Sequence, residues 1–155
     1  MCIRDRCTAL AVIEMLNGHG IAIPGKHVVV VGRSAVVGKP LALLLLRKSP
    51  SGNATVTVCH TGTKDIERHT RSADILVAAM GRPEAIRGDA IGDGAVVIDV
   101  GVNRLESGLC GDVDFDEAKE VAGKITPVPG GVGPMTITML MLNTVRAAKL
   151  AAGLV

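Results

Sequence analysis

The stretch Val28 to Pro40, VVVVGRSAVVGKP, constrains the fold of this chain more than any other. Four consecutive valines form a short, wholly apolar, β-branched run, which suits a parallel strand buried on both faces. Gly32, Arg33 and Ser34 follow, then Gly38, Lys39 and Pro40. Leu41 to Leu46 is an unbroken apolar run suited to a buried helix, and Pro40 fits its first turn, where the missing N–H needs no partner. Strand, glycine turn and helix start together aim free backbone N–H groups at an anion.

The spacing excludes two familiar loops in their strict form. A P-loop has four residues between its glycines and then Gly-Lys-Ser/Thr. Here five residues separate Gly32 from Gly38, and Pro40 stands where the magnesium-binding hydroxyl belongs. The dinucleotide pattern G-x-G-x-x-G fails because position 34 is Ser. What remains is one glycine for the turn, a second for close backbone approach, and an Arg-Ser pair between them. An ordinary βα turn with an exposed arginine fits the same spacing.

Strand and helix signals alternate along the rest of the chain. A helix is expected from Cys7, with Thr8 as N-cap, Leu10, Ile13, Met15 and Leu16 as its apolar stripe, and Gly18 and Gly20 closing it. Strands are expected at Thr55–Cys59, Ile75–Ala79, Ala95–Val100 and Ile125–Thr126. Helices are expected at Asp65–Arg71, Asp114–Ala122 and Met135–Ala152, and Gly101 to Gly111 reads as a polar loop or hairpin. Alternation of this kind implies right-handed crossovers, hence an α/β, Rossmann-like, doubly wound and mainly parallel sheet with helices on both faces. Ligands in such sheets sit at the carboxyl ends of the strands. Those ends carry Gly32-Arg33-Ser34, His60-Thr61, Met80-Gly81, Gly101-Val102-Asn103 and the loop PVPGGVGP, Pro127 to Pro134.

Composition narrows the partners. The 155 residues amount to about one domain, 48% hydrophobic but with one Phe and no Tyr or Trp, so the core is aliphatic. A net charge of +2 and the lack of stacking aromatics argue against a nucleic-acid partner. No apolar run approaches the ~20 residues of a membrane span. Cys2, Cys7, Cys59 and Cys110 lack C-x-x-C spacing, and with no signal peptide visible they read as reduced thiols of a cytoplasmic protein. The four histidines are scattered, and no metal site is expected. Met1 to Arg6, MCIRDR, matches nothing around it and reads as a junction or truncated start, ahead of a cofactor-binding domain over residues 7–155.

The end of the second strand bears on cofactor choice. NAD-binding folds place Asp or Glu there to accept the ribose hydroxyls. This chain has Cys59-His60-Thr61, with no acid before Asp65. A carboxylate would repel a 2′-phosphate, whereas the hydroxyls of Ser34, Thr61 and Thr63 and the fixed charge of Arg33 would hold one. The residues therefore lean toward NADP, against the alternative that Arg33 is only solvated.

GRSAVVGKP, CHTGT, VIDVGVNR, GDVDF and TPVPGGVGPMT together resemble the bifunctional methylenetetrahydrofolate dehydrogenase/methenyltetrahydrofolate cyclohydrolase family, from about Cys7 to the C-terminus. The eleven residues Thr126 to Thr136 are the most specific piece. The resemblance implies cofactor contacts to NADP from Gly32, Arg33, Ser34, His60, Thr61, Thr63 and Val102, with Thr136 orienting the nicotinamide amide. It implies that Pro129, Gly130, Gly131, Val132 and Gly133 lie against a tetrahydrofolate substrate, and that the protein is a homodimer. Members carry an N-terminal domain with a catalytic lysine preceded by a tyrosine. This chain has no tyrosine, so that motif is absent and no catalytic residue is assigned to it. The family's Pro-Cys-Thr-Pro segment is degraded to Arg6-Cys7-Thr8-Ala9.

The reaction implied is NADP-dependent oxidation of 5,10-methylenetetrahydrofolate, then hydrolysis of the methenyl product to 10-formyltetrahydrofolate. Two other readings share part of the pattern: a cofactor-binding or dimerisation module without turnover, and a different NADP enzyme, such as a shikimate-type dehydrogenase, sharing the sheet alone. The glycine loop at Pro129–Gly133 argues against the latter. If that loop walls the ligand site, Gly131→Ala is expected to weaken binding and leave melting almost unchanged; if the glycine only serves a positive-φ turn, the same change is expected to cost ~1 kcal/mol or more of stability with binding intact.

Overall fold

The computed structural model describes residues 7–106 and 108–154; the expected N-terminal junction at Met1–Arg6 lies outside the described residues. Five strands form one parallel sheet: β1 (His27–Val31), β2 (Thr55–Cys59), β3 (Ile75–Ala78), β4 (Val96–Asp99) and β7 (Lys124–Ile125), in the order β2-β1-β3-β4-β7. β5 (Asn103–Leu105) and β6 (Gly108–Cys110) make a separate antiparallel hairpin, with Asn103 opposite Cys110. The chain reverses its direction of travel across the sheet between β1 and β3. A doubly wound sheet opens its ligand crevice at such a point.

The valine run shows why the sheet is buried on both sides. Val28 and Val30 pack into one core with Leu16, Leu41, Leu45, Ile75 and Val77. Val29 and Val31 pack into a second core with Leu76, Ala78, Ile91 and Ala118. Successive strand residues point to opposite faces, so a strand in two cores must be apolar at every position. The first core is closed by α1 (Cys7–Gly18), α2 (Gly38–Leu46) and α5 (Val132–Ala151). The second is closed by the 3-10 turn Gly88–Ala90, α3 (Ile66–Arg71) and α4 (Phe115–Ala118). Both cores are aliphatic.

Several boundaries differ from the sequence reading. Thr8 lies inside α1 rather than at its N-cap, and its hydroxyl instead meets Thr136 Oγ1 at 3.3 Å. The buried face of α1 is built of Ala9, Ala11, Val12, Ile13 and Leu16, while Leu10 and Met15 are half-buried. Close packing of α1 against α5 explains why small alanines are the buried residues there.

Asp114 caps α4 as expected, accepting the Glu117 N–H at 3.1 Å, but the helix ends at Ala118. The Val121 carbonyl accepts from Gly94 N, which turns the chain toward β7. α5 begins at Val132, three residues earlier than expected, so Val132 and Gly133 are helical rather than loop. No helix among the described residues is long and apolar enough to cross a membrane.

Candidate functional site

A cleft of about 400 Å³ opens at the switch between β1 and β3. It is lined from β1 by Val31, Gly32, Arg33 and Ser34, from β2 by His60 and Thr61, and from β3 by Ala79, Met80 and Arg82, with Ile66 beneath. Among the described residues no carboxylate lines it. The structure thus brings five of the eight sequence-assigned cofactor residues to one place.

Local chemistry fixes each of these strand ends. Gly32 donates its N–H to the Cys59 carbonyl at 2.8 Å, and a methyl on Gly32 would lie 2.0 Å from the Ala79 carbonyl oxygen. Any side chain there would therefore push β1 away from β3. A methyl on Gly38 would strike the Gly32 carbonyl at 2.1 Å. The second glycine's close approach is thus to the turn itself. Ser34 Oγ accepts from Val37 N at 3.0 Å and, more weakly, from Gly38 N at 3.4 Å, so its hydroxyl holds the entry to α2. Its own proton remains available to an acceptor in the cleft.

At the end of β2, His60 N donates to Thr63 Oγ1 at 2.9 Å, and Gly62 N donates to His60 Nδ1 at 3.1 Å. A neutral ring accepting at Nδ1 carries its proton on Nε2, which makes His60 a hydrogen-bond donor from that side. Thr63 closes this turn and does not line the cleft. Thr61, exposed at the rim, is the hydroxyl residue of β2's end that does line it.

A second cleft, of about 240 Å³, lies between the ends of β4 and β7. Pro127 to Pro134 form one wall, and Asp99 to Val102 with Leu109 form the other. Val102 is 64% exposed, and the Val128–Pro129 peptide is cis. Of the sequence-assigned residues, Val102 and the whole run Pro129–Gly133 line this cleft. Thr136 lines neither: its hydroxyl donates to the Val132 carbonyl at 3.0 Å. The glycines of the run differ. A methyl on Gly131 would sit 2.5 Å from the Pro127 carbonyl oxygen, whereas a methyl on Gly133 would meet nothing within 4 Å. Gly131 is thus held by packing within the protein, against the expectation that a methyl there leaves melting unchanged.

Two buried carboxylates, Asp99 in the wall of the second cleft and Asp112, were not assigned from the sequence. Asp99, 3% exposed at the end of β4, accepts from the amides of Gly101 at 2.9 Å, Asp112 at 3.0 Å and Val113 at 2.9 Å. Burial pushes its carboxyl above the usual range, and the three amides offset this only in part. Asp112 is fully buried. Its Oδ2 accepts from Met80 N at 2.6 Å and Gly81 N at 2.9 Å, and its Oδ1 from Arg82 N and Asn103 Nδ2, both at 2.9 Å. The only sequence signal for Asp112 was its place inside GDVDF. Arg82, in the Met80-Gly81-Arg82-Pro83 turn after β3, belongs to none of the motifs read from the sequence.

The ion pairs Lys26–Asp74, Arg71–Glu67 and Lys119–Asp116 all lie outside the clefts. Among the described residues no cluster of three or more His, Cys, Asp or Glu could hold a metal ion. The first cleft, lined by two arginines, hydroxyls and backbone amides but no acid, suits a phosphate-bearing ligand.

Comparison with known proteins agrees with this geometry. The family model described as tetrahydrofolate dehydrogenase/cyclohydrolase, NAD(P)-binding domain, matches residues 6–152. Bifunctional protein FolD of Syntrophus aciditrophicus is 60% identical over 154 residues, covering 96% of this chain and 53% of that protein. The crystal structure of FolD from Campylobacter jejuni superposes with a TM-score of 0.88 at 49% identity, over 94% of this chain and 50% of that one. The enzyme of Trypanosoma brucei, solved with NADP cofactor and an inhibitor, gives 0.86 at 46% identity, over 94% and 51%. The chain spans about half the length of these relatives. With its sheet order switching at the Gly32 turn and a family match running through both clefts, the chain belongs to the tetrahydrofolate dehydrogenase/cyclohydrolase family, as its NAD(P)-binding domain.

Proposed function

We propose that the cleft at the β1–β3 switch binds NADP. In this reading the domain serves oxidation of 5,10-methylenetetrahydrofolate to the methenyl compound and its hydrolysis to 10-formyltetrahydrofolate. The observation that carries the cofactor half is the acid-free lining around Arg33. A guanidinium with no carboxylate partner among the described residues, beside the hydroxyls of Ser34 and Thr61, favours a ligand with a 2′-phosphate over one with bare ribose hydroxyls. Gly32, Arg33, Ser34, His60 and Thr61 would hold the dinucleotide, which would supply the hydride-acceptor chemistry for oxidation of the folate.

The chain's own residues bind and orient. Gly32 and Ser34 shape the turn beside the phosphates, and the His60 Nε2–H is a further donor on the β2 side. The Pro129–Gly133 run forms a wall low in side chains, against which a flat ring can approach backbone. That wall, across from Val102, is assigned to the folate substrate, with Thr136 at the adjoining helix start. Hydrolysis needs a positioned proton-transfer group. Lys39 and Lys124 do not line the second cleft, and Lys124 Nζ donates to the His19 carbonyl at 3.2 Å. No residue of this chain is assigned that role.

A cytoplasmic homodimer completes the reading. The exposed Leu105 and Leu109 offer apolar contacts to a second copy from the two faces of the β5–β6 hairpin, Leu109 from the face that also lines the second cleft.

The test is titration of NADPH and NADH by cofactor fluorescence, which no tryptophan of this chain obscures. NADPH should bind more tightly than NADH, and Arg33→Ala should lose ~1.5–3 kcal/mol, about tenfold to a hundredfold, toward NADPH. Equal NADPH affinity of variant and parent would remove Arg33 from the site.

A further inference from the structure

The loop after β3 presents an arginine that the motif reading leaves unused. Arg82 lines the same cleft as Arg33, from the opposite side of β1 to His60 and Thr61. Its side chain is exposed and joins none of the ion pairs among the described residues. Its backbone, by contrast, is firmly held. Three consecutive amides, of Met80, Gly81 and Arg82, donate to the one carboxylate of Asp112 at 2.6–2.9 Å. Asp112 is itself anchored on both sides, accepting from Asn103 Nδ2 and donating its N–H to Asp99 Oδ1 at 3.0 Å.

Every lone-pair direction of the Asp112 carboxylate is thus engaged by an N–H donor. The charge of Asp112 fixes the loop by charge-assisted hydrogen bonds and leaves no oxygen to pair with the Arg82 guanidinium. The outcome is a firmly held loop whose arginine joins none of the ion pairs among the described residues, on the cleft that Arg33 also lines. Two cations lining one cleft repel each other, and a multiply charged anion between them turns that repulsion into attraction.

We propose that Arg82 is a second phosphate-binding residue of the cleft, and that Asp112 is the positioning residue that presents it. The proposal rests on the reading of the cleft as a dinucleotide site. A dinucleotide phosphate, either the 2′-phosphate or the pyrophosphate, is the group that Arg82 meets.

NADPH and NADH are titrated against the parent, Arg82→Ala, Arg82→Lys and Asp112→Asn, with melting recorded for each. Arg82→Ala should weaken NADPH about tenfold at unchanged melting temperature, because the side chain is exposed, and Arg82→Lys should recover part of the loss. Loss toward NADPH alone assigns Arg82 to the 2′-phosphate; equal loss toward both assigns it to the pyrophosphate. Unchanged affinity for both, with the parent binding NADPH, overturns the proposal and leaves the cofactor reading intact. A parent that binds neither nucleotide overturns the cofactor reading and this proposal with it.

The positioning role is read from coupling. Asp112→Asn should weaken NADPH in the parent but add little in the Arg82→Ala background, since the pedestal matters through the guanidinium it carries. Full additivity would reduce Asp112 to a structural role. Where Asp112→Asn does not fold, Asn103→Ala, which removes only one donor to the same carboxylate, takes its place in the cycle.

Discussion

Gly131 and Gly133 stand two positions apart in the same run and should respond to a methyl in opposite ways. At Gly131 the new Cβ would lie 2.5 Å from the Pro127 carbonyl oxygen and 3.0 Å from Thr126 Cβ. The nearer atom is backbone, in a segment stiffened by Pro127 and Pro129, so it cannot rotate away. Overpacking of this kind costs ~1–3 kcal/mol. For a chain of this size each kcal/mol is worth about 2–4 °C, so a cost of ~2 kcal/mol lowers Tm by ~4–8 °C. At Gly133 nothing lies within 4 Å of the added Cβ, and the residue is exposed in the first turn of α5. Alanine is the better helix former by up to ~1 kcal/mol, so Tm should hold or rise slightly.

Differential scanning fluorimetry gives the two melting temperatures, and titration with NADPH and with tetrahydrofolate gives ligand engagement per folded molecule. If the run walls the ligand cleft, Gly133→Ala should weaken binding with no loss of Tm. An unshifted Tm for Gly131→Ala would refute the packing argument. Unaltered affinity of Gly133→Ala for both ligands would remove the run from the site.

Three further outcomes are expected. Burial holds the Asp99 carboxyl above its usual value, so the folded protein binds that proton more tightly than the unfolded chain. Its contribution to stability is therefore full in acid and lost as pH rises from about 4 through the raised folded value, and Asp99→Asn should remove that component from a series of Tm against pH. The 155-residue chain by itself should hydrolyse 5,10-methenyltetrahydrofolate no faster than buffer. Turnover that vanished on Lys39→Ala or Lys124→Ala would place the proton-transfer group in this domain. Leu105→Asp with Leu109→Asp should convert a dimer to a monomer by light scattering at unchanged Tm, and an unaltered mass would shift the dimer contact away from the hairpin.

What could be read from the sequence followed from local chemistry. The valine run announced a strand in two cores because every residue of it had to be apolar, and Gly32 and Gly38 marked a turn whose carbonyls leave no room for a Cβ. Five cofactor candidates proved to line one cleft because strand ends of a parallel sheet converge whatever their separation in sequence. The misplaced boundaries have tertiary causes. α4 stops early because Val121 gives its carbonyl to Gly94, and Thr8 is interior to α1, where its hydroxyl faces Thr136 across the helix pair.

The Asp112 clamp is the clearest case of what stayed hidden. Its carboxylate meets amides about 30 residues away, and an amide donor carries no side-chain signature, so no spacing rule announces the contact. In sequence an aspartate that accepts three amides looks the same as one that faces solvent. The difference appears only when folding buries it: a lone carboxylate would then be costly, and the donors around it must come from whichever loop the topology brings near. Here that loop is the one carrying Arg82. The same burial that made Asp112 illegible in the sequence ties the GDVDF segment, through one carboxylate and three backbone amides, to an arginine of the first cleft.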